Sequence, residues 1–356
     1  MSDCFISFSP VDTWMFRDGR PFGQDDPGAA VATSVFPPYP PTVAGAIRAA
    51  LWRTALDGKW DPARLGDGVH WQEGDSLGPL SFGPLAVIHD GQPVFPVPLH
   101  IVEGKGRQKG QKILTRLTPG KPMNCDLGDK VRLPRPMAKD LQGIKTITDH
   151  WVTAKGMQQI LEGSVPDQET LIPLGSIWRT EPRVGIGIDR ESRITSNAQL
   201  YMASHVRLKK GNSLSVRMKG WDGELDETLT SLAGEHRMAV MAKGAESWKM
   251  PAGLSSADDL YCLIAISPVA PDENGVISGL QDRQIISACT GKPVDIGGWD
   301  SLNKRAIPLR RCWPAGSVWF IKSADPPSSI GEANDWGFGH VLAGKWTDEE
   351  GEESQS

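Results

Sequence analysis

The opening segment CFISFSPVDTWMF (4–16) sets β-forming apolar residues in partial alternation with polar ones, the period of a strand with one buried face. Residues 42–56 change period. Ala44, Ile47, Leu51 and Ala55 recur at spacings of three and four, which predicts a helix with Thr42 as its N-terminal cap. Two apolar runs follow, SFGPLAVIH (81–89) and PVFPVPLHIV (93–102), joined by the hairpin signal Asp90-Gly91. HWVTAKGMQQILEG (150–163) predicts a second helix closed by Gly163, and LIPLGSIW (171–178) a further strand. This order is that of a ferredoxin-like β-α-β-β-α-β unit interrupted by a long insertion at 102–149.

The second half repeats the grain without repeating the sequence. Residues 198–221 predict a hairpin turning at Lys210-Gly211-Asn212, and ELDETLTSLAG (224–234) a short helix. HRMAVMAKG (236–244), DLYCLIAISPVA (259–270), SVWFIKSA (317–324) and GFGHVLAGKW (337–346) predict strands. The expected fold class is α+β: two ferredoxin-like (RRM-like) units, residues 1–180 and 181–346, followed by an acidic tail at 347–356.

With 356 residues, 39% of them apolar, the chain is large enough for two packed domains. No run of eighteen apolar residues is present, and the N-terminus has no basic-then-apolar leader pattern. Cys4, Cys125, Cys262, Cys289 and Cys312 are odd in number, widely spread and without zinc spacing. The expectation is a cytoplasmic protein with neither a structural metal nor a cofactor.

Charge changes the picture. The formal net charge is −5, but TDEEGEESQS at the C-terminus holds five acids and no base, so residues 1–346 sum to zero. Residues 101–155 hold twelve Lys/Arg against five Asp/Glu, and residues 178–220 nine against three. Basic sectors on an acidic body suit a polyanion laid along one track, though solvated basic loops would give the same count. Thirteen of twenty-five aromatics are Trp, a side chain that serves either a core or a stacked base. GKGRQKGQK (104–112) has almost no apolar content and reads as a mobile loop.

Catalytic templates fail. There is no phosphate-binding P-loop, and Gly185-Ile186-Gly187-Ile188-Asp189-Arg190 has Arg where a dinucleotide fingerprint needs its third glycine. What remains are arginines beside glycines. Arg17 and Arg20 flank the turn in FRDGRPF (16–22), where Asp18 is an alternative partner. Arg48 lies early in the first helix, unfavourable there without a ligand phosphate or a fixed carboxylate nearby. EPRVGIGIDRESR (181–193) interleaves Gly185 and Gly187 with Arg183, Arg190 and Arg193. In GFGHVLAG (337–344), the amides around Gly337, Gly339 and Gly344 predict an anion-binding concavity. Together these favour single-stranded RNA on β-sheet modules.

FRDGRPF, FPPYPPTVAGAIR (36–48), EPRVGIGIDRESR followed by Leu200-Tyr201, YCLIAISPVA (261–270), GGWDSLNKRAIPLRRCWPAGSVWF (297–320) and GFGHVLAG, in that order, resemble the RAMP-superfamily Cmr subunits of type III-B CRISPR effector complexes. Within these the chain looks like the subunit that holds the crRNA 5′ tag. AGEHR (233–237) departs from the family's double-glycine stretch by Ala233. The resemblance implies a non-catalytic subunit that grips the repeat-derived 5′ tag, docks on the large Cas10-type subunit and adjoins the first backbone RAMP subunit of the filament. It places Arg17, Arg20 and Arg48 in N-terminal motifs, Arg183, Gly185, Gly187 and Arg190 in the central one, and Gly337, Gly339 and Gly344 in the C-terminal glycine loop, where His340 is a further RNA-binding candidate. Lys105, Arg107, Lys109, Lys112, Arg132 and Arg135 of the insertion would neutralise phosphates, with the arginines of 183–193 nearer the tag bases. Two alternatives stay open. One is a metal-independent RAMP endoribonuclease that processes repeat RNA through His340 and His150. The other is a protein-only adaptor subunit.

Overall fold

Two sheets with one strand order organise the chain. The computed structural model describes residues 3–348 apart from 20–29, 69, 73–76, 109–110, 127, 189–194, 233, 245–247, 255–258, 282 and 301–302. From the N-terminus, β1 (Asp3–Pro10) and β2 (Ala30–Ala32) precede α1 (Pro40–Thr54) and the single turn α2 (Pro62–Leu65). β3 (Ser81–Phe82), β4 (Ala86–His89) and β5 (Gln92–Pro96) follow. Short strands come next: β6 (Ile101–Lys105), β7 (Lys112–Pro119), β8 (Met123–Cys125), β9 (Gly128–Val131), β10 (Pro134–Pro136), β11 (Gln142–Thr146) and β12 (His150–Thr153). α3 (Ala154–Leu161), β13 (Leu171–Pro173) and α4 (Leu174–Ile177) lead into the long strands β14 (Trp178–Ile188) and β15 (Thr195–Leu208). β16 (Asn212–Lys219), β17 (Thr228–Ser231), β18 (Met238–Lys243), β19 (Leu260–Ala265) and β20 (Gln284–Cys289) are followed by β21 (Val294–Asp300), β22 (Arg305–Cys312), β23 (Val318–Lys322) and β24 (Val341–Lys345).

The division into units differs from the contiguous halves expected at residue 180. One unit gathers residues 1–91, 175–247 and 295–310; the other gathers 92–174, 248–294 and 311–356. The reason is strand supply. β1 takes β16 on one side, with Ile6 opposite Val216, and β18 on the other, with Phe8 opposite Met241. The inner partners of the first strand therefore come from beyond residue 210.

In the first unit the order β4-β16-β1-β18 runs antiparallel throughout, with β17 beyond β18. Alternation along β1 buries Ile6 and Phe8 completely. α1 begins at Pro40-Pro41, not at Thr42; proline at the first helical positions sacrifices no hydrogen bond and arrives with helical φ. Its buried stripe includes Val43, Ile47 and Leu51, and the Ala46 carbonyl accepts from Thr230 Oγ1 of β17 at 3.3 Å. β17 replaces the helix expected at 224–234. Thr228 and Thr230 are β-branched, and the segment pairs along β18 from Thr228 opposite Met241 to Ser231 opposite Met238. The ribbon β14–β15 pairs from Trp178 opposite Leu208 to Ile186 opposite Leu200, and β2 joins β15 in parallel.

The second unit has the sheet β20-β23-β19-β24, antiparallel throughout. Met157, Ile160 and Leu161 of α3 share its core with Cys262, Ile264, Phe320 and Leu342. His150–Thr153, expected as helix, is a strand between β5 and β13. Thr153 then caps α3 by accepting from the Gly156 amide at 3.3 Å, so the helix starts four residues later than its apolar spacing suggested. Gly163 closes it at φ 86° as expected. The insertion is not a bare loop: β10-β7-β6-β11 form a sheet and β8–β9 a hairpin. Ile101 and Val102, buried, anchor β6, which pairs with β7 up to Lys105 opposite Lys112, so both ends of the polar stretch 104–112 lie in strands.

Candidate nucleic-acid interface

The insertion sheet presents cations on weakly held partners. Lys105 ends β6, exposed. Glu103 receives two lysines, Lys145 Nζ at 2.9 Å and Lys112 Nζ at 3.4 Å. The hydrogen bond from Lys145 holds its carboxyl below the usual carboxylate range, with the Lys112 charge adding to the effect. Arg107 meets Asp140 at 2.5 Å, both side chains largely exposed. Exposed ion pairs of this kind exchange readily with other anions, because water screens each one. Arg135 stands exposed at the centre of β10, and every residue of β11 is exposed. Met123, Leu133, Met137 and Ile144 are exposed in the same segment, so apolar area lies among the lysines. Lys109 lies outside the described residues.

Arg132 is a different case. Its guanidinium donates to both carboxylate oxygens of Asp348, and Nε donates to the Gly120 carbonyl at 2.7 Å. The side chain is 12% exposed. It fastens the turn before β10 inside its own unit.

In the first unit, Arg17 is exposed, and its backbone bridges Ser34. Arg48 points inward. It is 6% exposed, donates Nε to the Leu65 carbonyl at 2.8 Å and lies 5.0 Å over the Trp60 ring. Burial lowers its pKa to about 10 even though Asp67 opposes the shift. Of the two partners the sequence left open, the fixed carboxylate is the one with support: the Asp67 charge acts on Arg48, beside the carbonyl and the indole.

Arg183 belongs to a charge network that the sequence did not reveal. It donates to Asp12 Oδ2 at 2.8 Å and to Glu181 Oε1 at 3.0 Å. Arg207, from the opposite strand of the ribbon, binds Glu181 and reaches Asp12 Oδ1 at 3.0 Å. Arg237 adds Glu235 at 3.2 Å and Asp12 at 3.9 Å. Donation from Arg183 brings the Asp12 carboxyl down to about 2, and donation from Arg207 does the same for Glu181. Three arginines are thereby matched by three carboxylates. The register sets Glu181 opposite His205, which makes Arg207, two residues along the same face, its diagonal neighbour. Gly185 pairs with Tyr201, and Gly187 lies at the register shift between Ile186 and Ile188. Arg20, Arg190 and Arg193 lie outside the described residues.

The C-terminal glycine loop does not offer its amides to an anion. Gly337 donates to Asn334, Phe338 to Ala333, Gly339 to the Pro268 carbonyl at 2.7 Å, and His340 to Ser267 Oγ at 2.9 Å. At φ 69°, a Cβ on Gly339 would lie 1.9 Å from the Ile330 carbonyl oxygen, so the glycine is required by close packing. Gly344 lets β24 approach α3: a Cβ there would lie 2.9 Å from Leu161 Cα. His150, the other histidine considered for acid–base chemistry, sets Nδ1 2.9 Å from its neighbour Asp149. Among the described residues, no cluster of three or more His, Cys, Asp or Glu is placed to hold a metal ion. Among them, too, no helix is long and apolar enough to cross a membrane.

Residues 6–346 match the family described as CRISPR-associated protein (Cas_Cmr3). The chain belongs to the Cmr3 family. This Cmr3-family chain also shares its fold with a chain of the type III-B Cmr-beta particle, solved by cryo-electron microscopy bound to cognate target RNA and AMPPnP. There the TM-score is 0.52 and the identity 17%, over 89% of this chain and 86% of that one. A second structure of Cmr-beta, bound to cognate target RNA, gives 0.51 and 17% over 90% and 86%. No curated protein sequence matches. The chain is a Cmr-type subunit.

Proposed function

We propose that this chain is a non-catalytic RNA-binding subunit of a type III-B CRISPR effector complex. It holds the repeat-derived 5′ tag of the crRNA, docks on the large Cas10-type subunit and adjoins the first backbone RAMP subunit. The observation that carries the reading is an exposed cationic sheet, residues 101–146, on a chain of the Cmr3 family. Lys112 and Lys145 are exposed around Glu103, and Arg107 meets an exposed aspartate that a phosphate can replace, with release of counterions from the RNA. Exposed methionine and isoleucine between them suit unstacked bases.

Strand order supports the RRM-like part of the proposal. In both units the strands of the sheet lie in the order second, third, first, fourth, all antiparallel, which is the ferredoxin-like arrangement. In the first unit α1 forms the first crossover. β17 and irregular chain replace the other helices.

The test is a titration of labelled guide RNA against the assembled complex at several salt concentrations. Lys105→Gln, Arg107→Gln, Lys109→Gln and Lys112→Gln are combined in one variant. Weaker binding with a flatter salt dependence is expected. Unchanged affinity and slope would remove the insertion sheet from the interface.

A further inference from the structure

The first unit carries an exposed tryptophan on a rooted hairpin. Trp299, near the end of β21, is 63% exposed, and Leu309 on β22 is 52% exposed. An indole this open leaves its face accessible to a ligand. The hairpin beneath them is fixed. Trp71 is buried and donates Nε1 to the Gly297 carbonyl at 3.0 Å, and Gln72 Nε2 donates to the Pro308 carbonyl at 2.7 Å. The two strands are thus each held by a side chain from one short segment.

The residues at the strand ends are held as well. Asp300 is buried and accepts from the Asn303 amide at 3.0 Å and from Asn303 Nδ2 at 2.8 Å. Arg305 Nε lies 3.4 Å from the same carboxylate. Trp299, next in chain, is therefore presented from a set backbone. Gly297 and Gly298 precede it and contribute no side chain beside the indole. Lys304 and Arg305 are exposed, whereas Arg310 lies 5.4 Å over the Trp71 ring.

We infer that Trp299 is a stacking platform for an unpaired RNA base, with Lys304 and Arg305 toward the flanking phosphates. Charge complementarity decides the occupant. An exposed indole with the exposed Lys304 and Arg305 a few residues further along the chain fits a base with its phosphates, and every base offers a π-face. A held backbone also means that little freedom is lost on binding. This site is distinct from the insertion sheet, and the inference rests on the reading of the chain as an RNA-binding subunit.

The experiment uses the full chain and a twelve-nucleotide single-stranded RNA carrying 2-aminopurine at successive positions. Stacking on Trp299 quenches the reporter at one or two positions. Trp299→Ala is expected to abolish that quench and to weaken binding roughly tenfold, while Trp299→Phe keeps most of both. Leu309→Ala checks that the patch tolerates truncation without loss of folding. The four-fold neutral variant of the insertion is titrated in parallel.

Wild-type affinity and quenching in Trp299→Ala overturn the stacking site, and a weakened insertion variant in the same series leaves the RNA-binding reading standing. Wild-type RNA affinity in Trp299→Ala together with loss of co-purifying complex subunits overturns it in favour of a protein-docking hairpin. Failure of the unaltered chain to bind or quench the RNA at any position overturns both readings for the chain on its own.

Discussion

Residues 101–155 and 178–220 carry nearly equal excesses of positive charge in the sequence, yet the fold disposes of them differently. In the first window Lys112 and Lys145 share one glutamate, and Arg107 leans on an exposed aspartate. In the second, Arg183 and Arg207 are held by Glu181 and by Asp12, which belongs to the loop after β1. Arg217 is likewise answered by Asp3 on the neighbouring strand. A window count adds charges that are close in sequence. It omits carboxylates that the sheet delivers from elsewhere, and those decide whether a cation is available to a ligand.

That contrast can be broken deliberately. The largest effect is expected from neutralising Lys105, Arg107, Lys109 and Lys112 together: RNA affinity at low salt falls by about a hundredfold, with a smaller salt slope. The melting temperature of the same protein stays within about two degrees, because exposed pairs contribute little to stability. Arg132→Ala separates an arginine of that window from its neighbours. Loss of a mostly buried partner for Asp348 is expected to cost about 2 kcal/mol in denaturant unfolding. An RNA affinity lowered by Arg132→Ala at unchanged stability would contradict this assignment.

The network on β14–β15 gives the converse test. Asp12→Asn with Glu181→Gln removes the carboxylates and leaves the arginines. Stability is expected to drop by about 1 kcal/mol while affinity for single-stranded RNA rises severalfold, since Arg183 and Arg207 are released. No gain in affinity would mean that pairing is not what withholds them. The same pair of carboxylates gives a pH signature. Both are lowered to about 2 in the fold from ordinary values of 3.8 and 4.5. A carboxyl that is more acidic when folded stabilises the fold above its unfolded value, and the contribution disappears as pH falls toward 2. Thermal melts between pH 6 and 2 should therefore descend more gently in the double variant than in the parent. Parallel curves would contradict the network's role. The smallest effect is expected from Arg135→Ala, about a threefold loss of RNA affinity with stability unaltered.

Local chemistry made the short elements legible. Asp90-Gly91 forms its turn with both residues at positive φ, and Gly211 turns β15 into β16. Apolar runs at Tyr261–Ile264 and Val318–Ile321 are buried strands as expected. Period alone misled where a strand and a helix abut. His150–Thr153 carry apolar residues compatible with both, and the Thr153 cap marks the change. Residues 228–231 look helical by spacing but pair with β18, a partner visible only in three dimensions. The same holds for the site. Arginines and glycines nominated segments, but Arg48 and Arg132 turn inward and the amides of 337–340 bond within the loop. Side-chain direction depends on who faces whom across a sheet, which one segment read alone does not contain.

A ribosome delivers the polypeptide in one direction, and the interleaved units set what it must wait for. The earlier unit needs residues as late as 310, by which point much of the later unit has already emerged. Neither can mature while the other is absent from the nascent chain. A gene cut after codon 180 would part β1 and β4 from β16 and β18, and it would yield two products that each lack half a sheet.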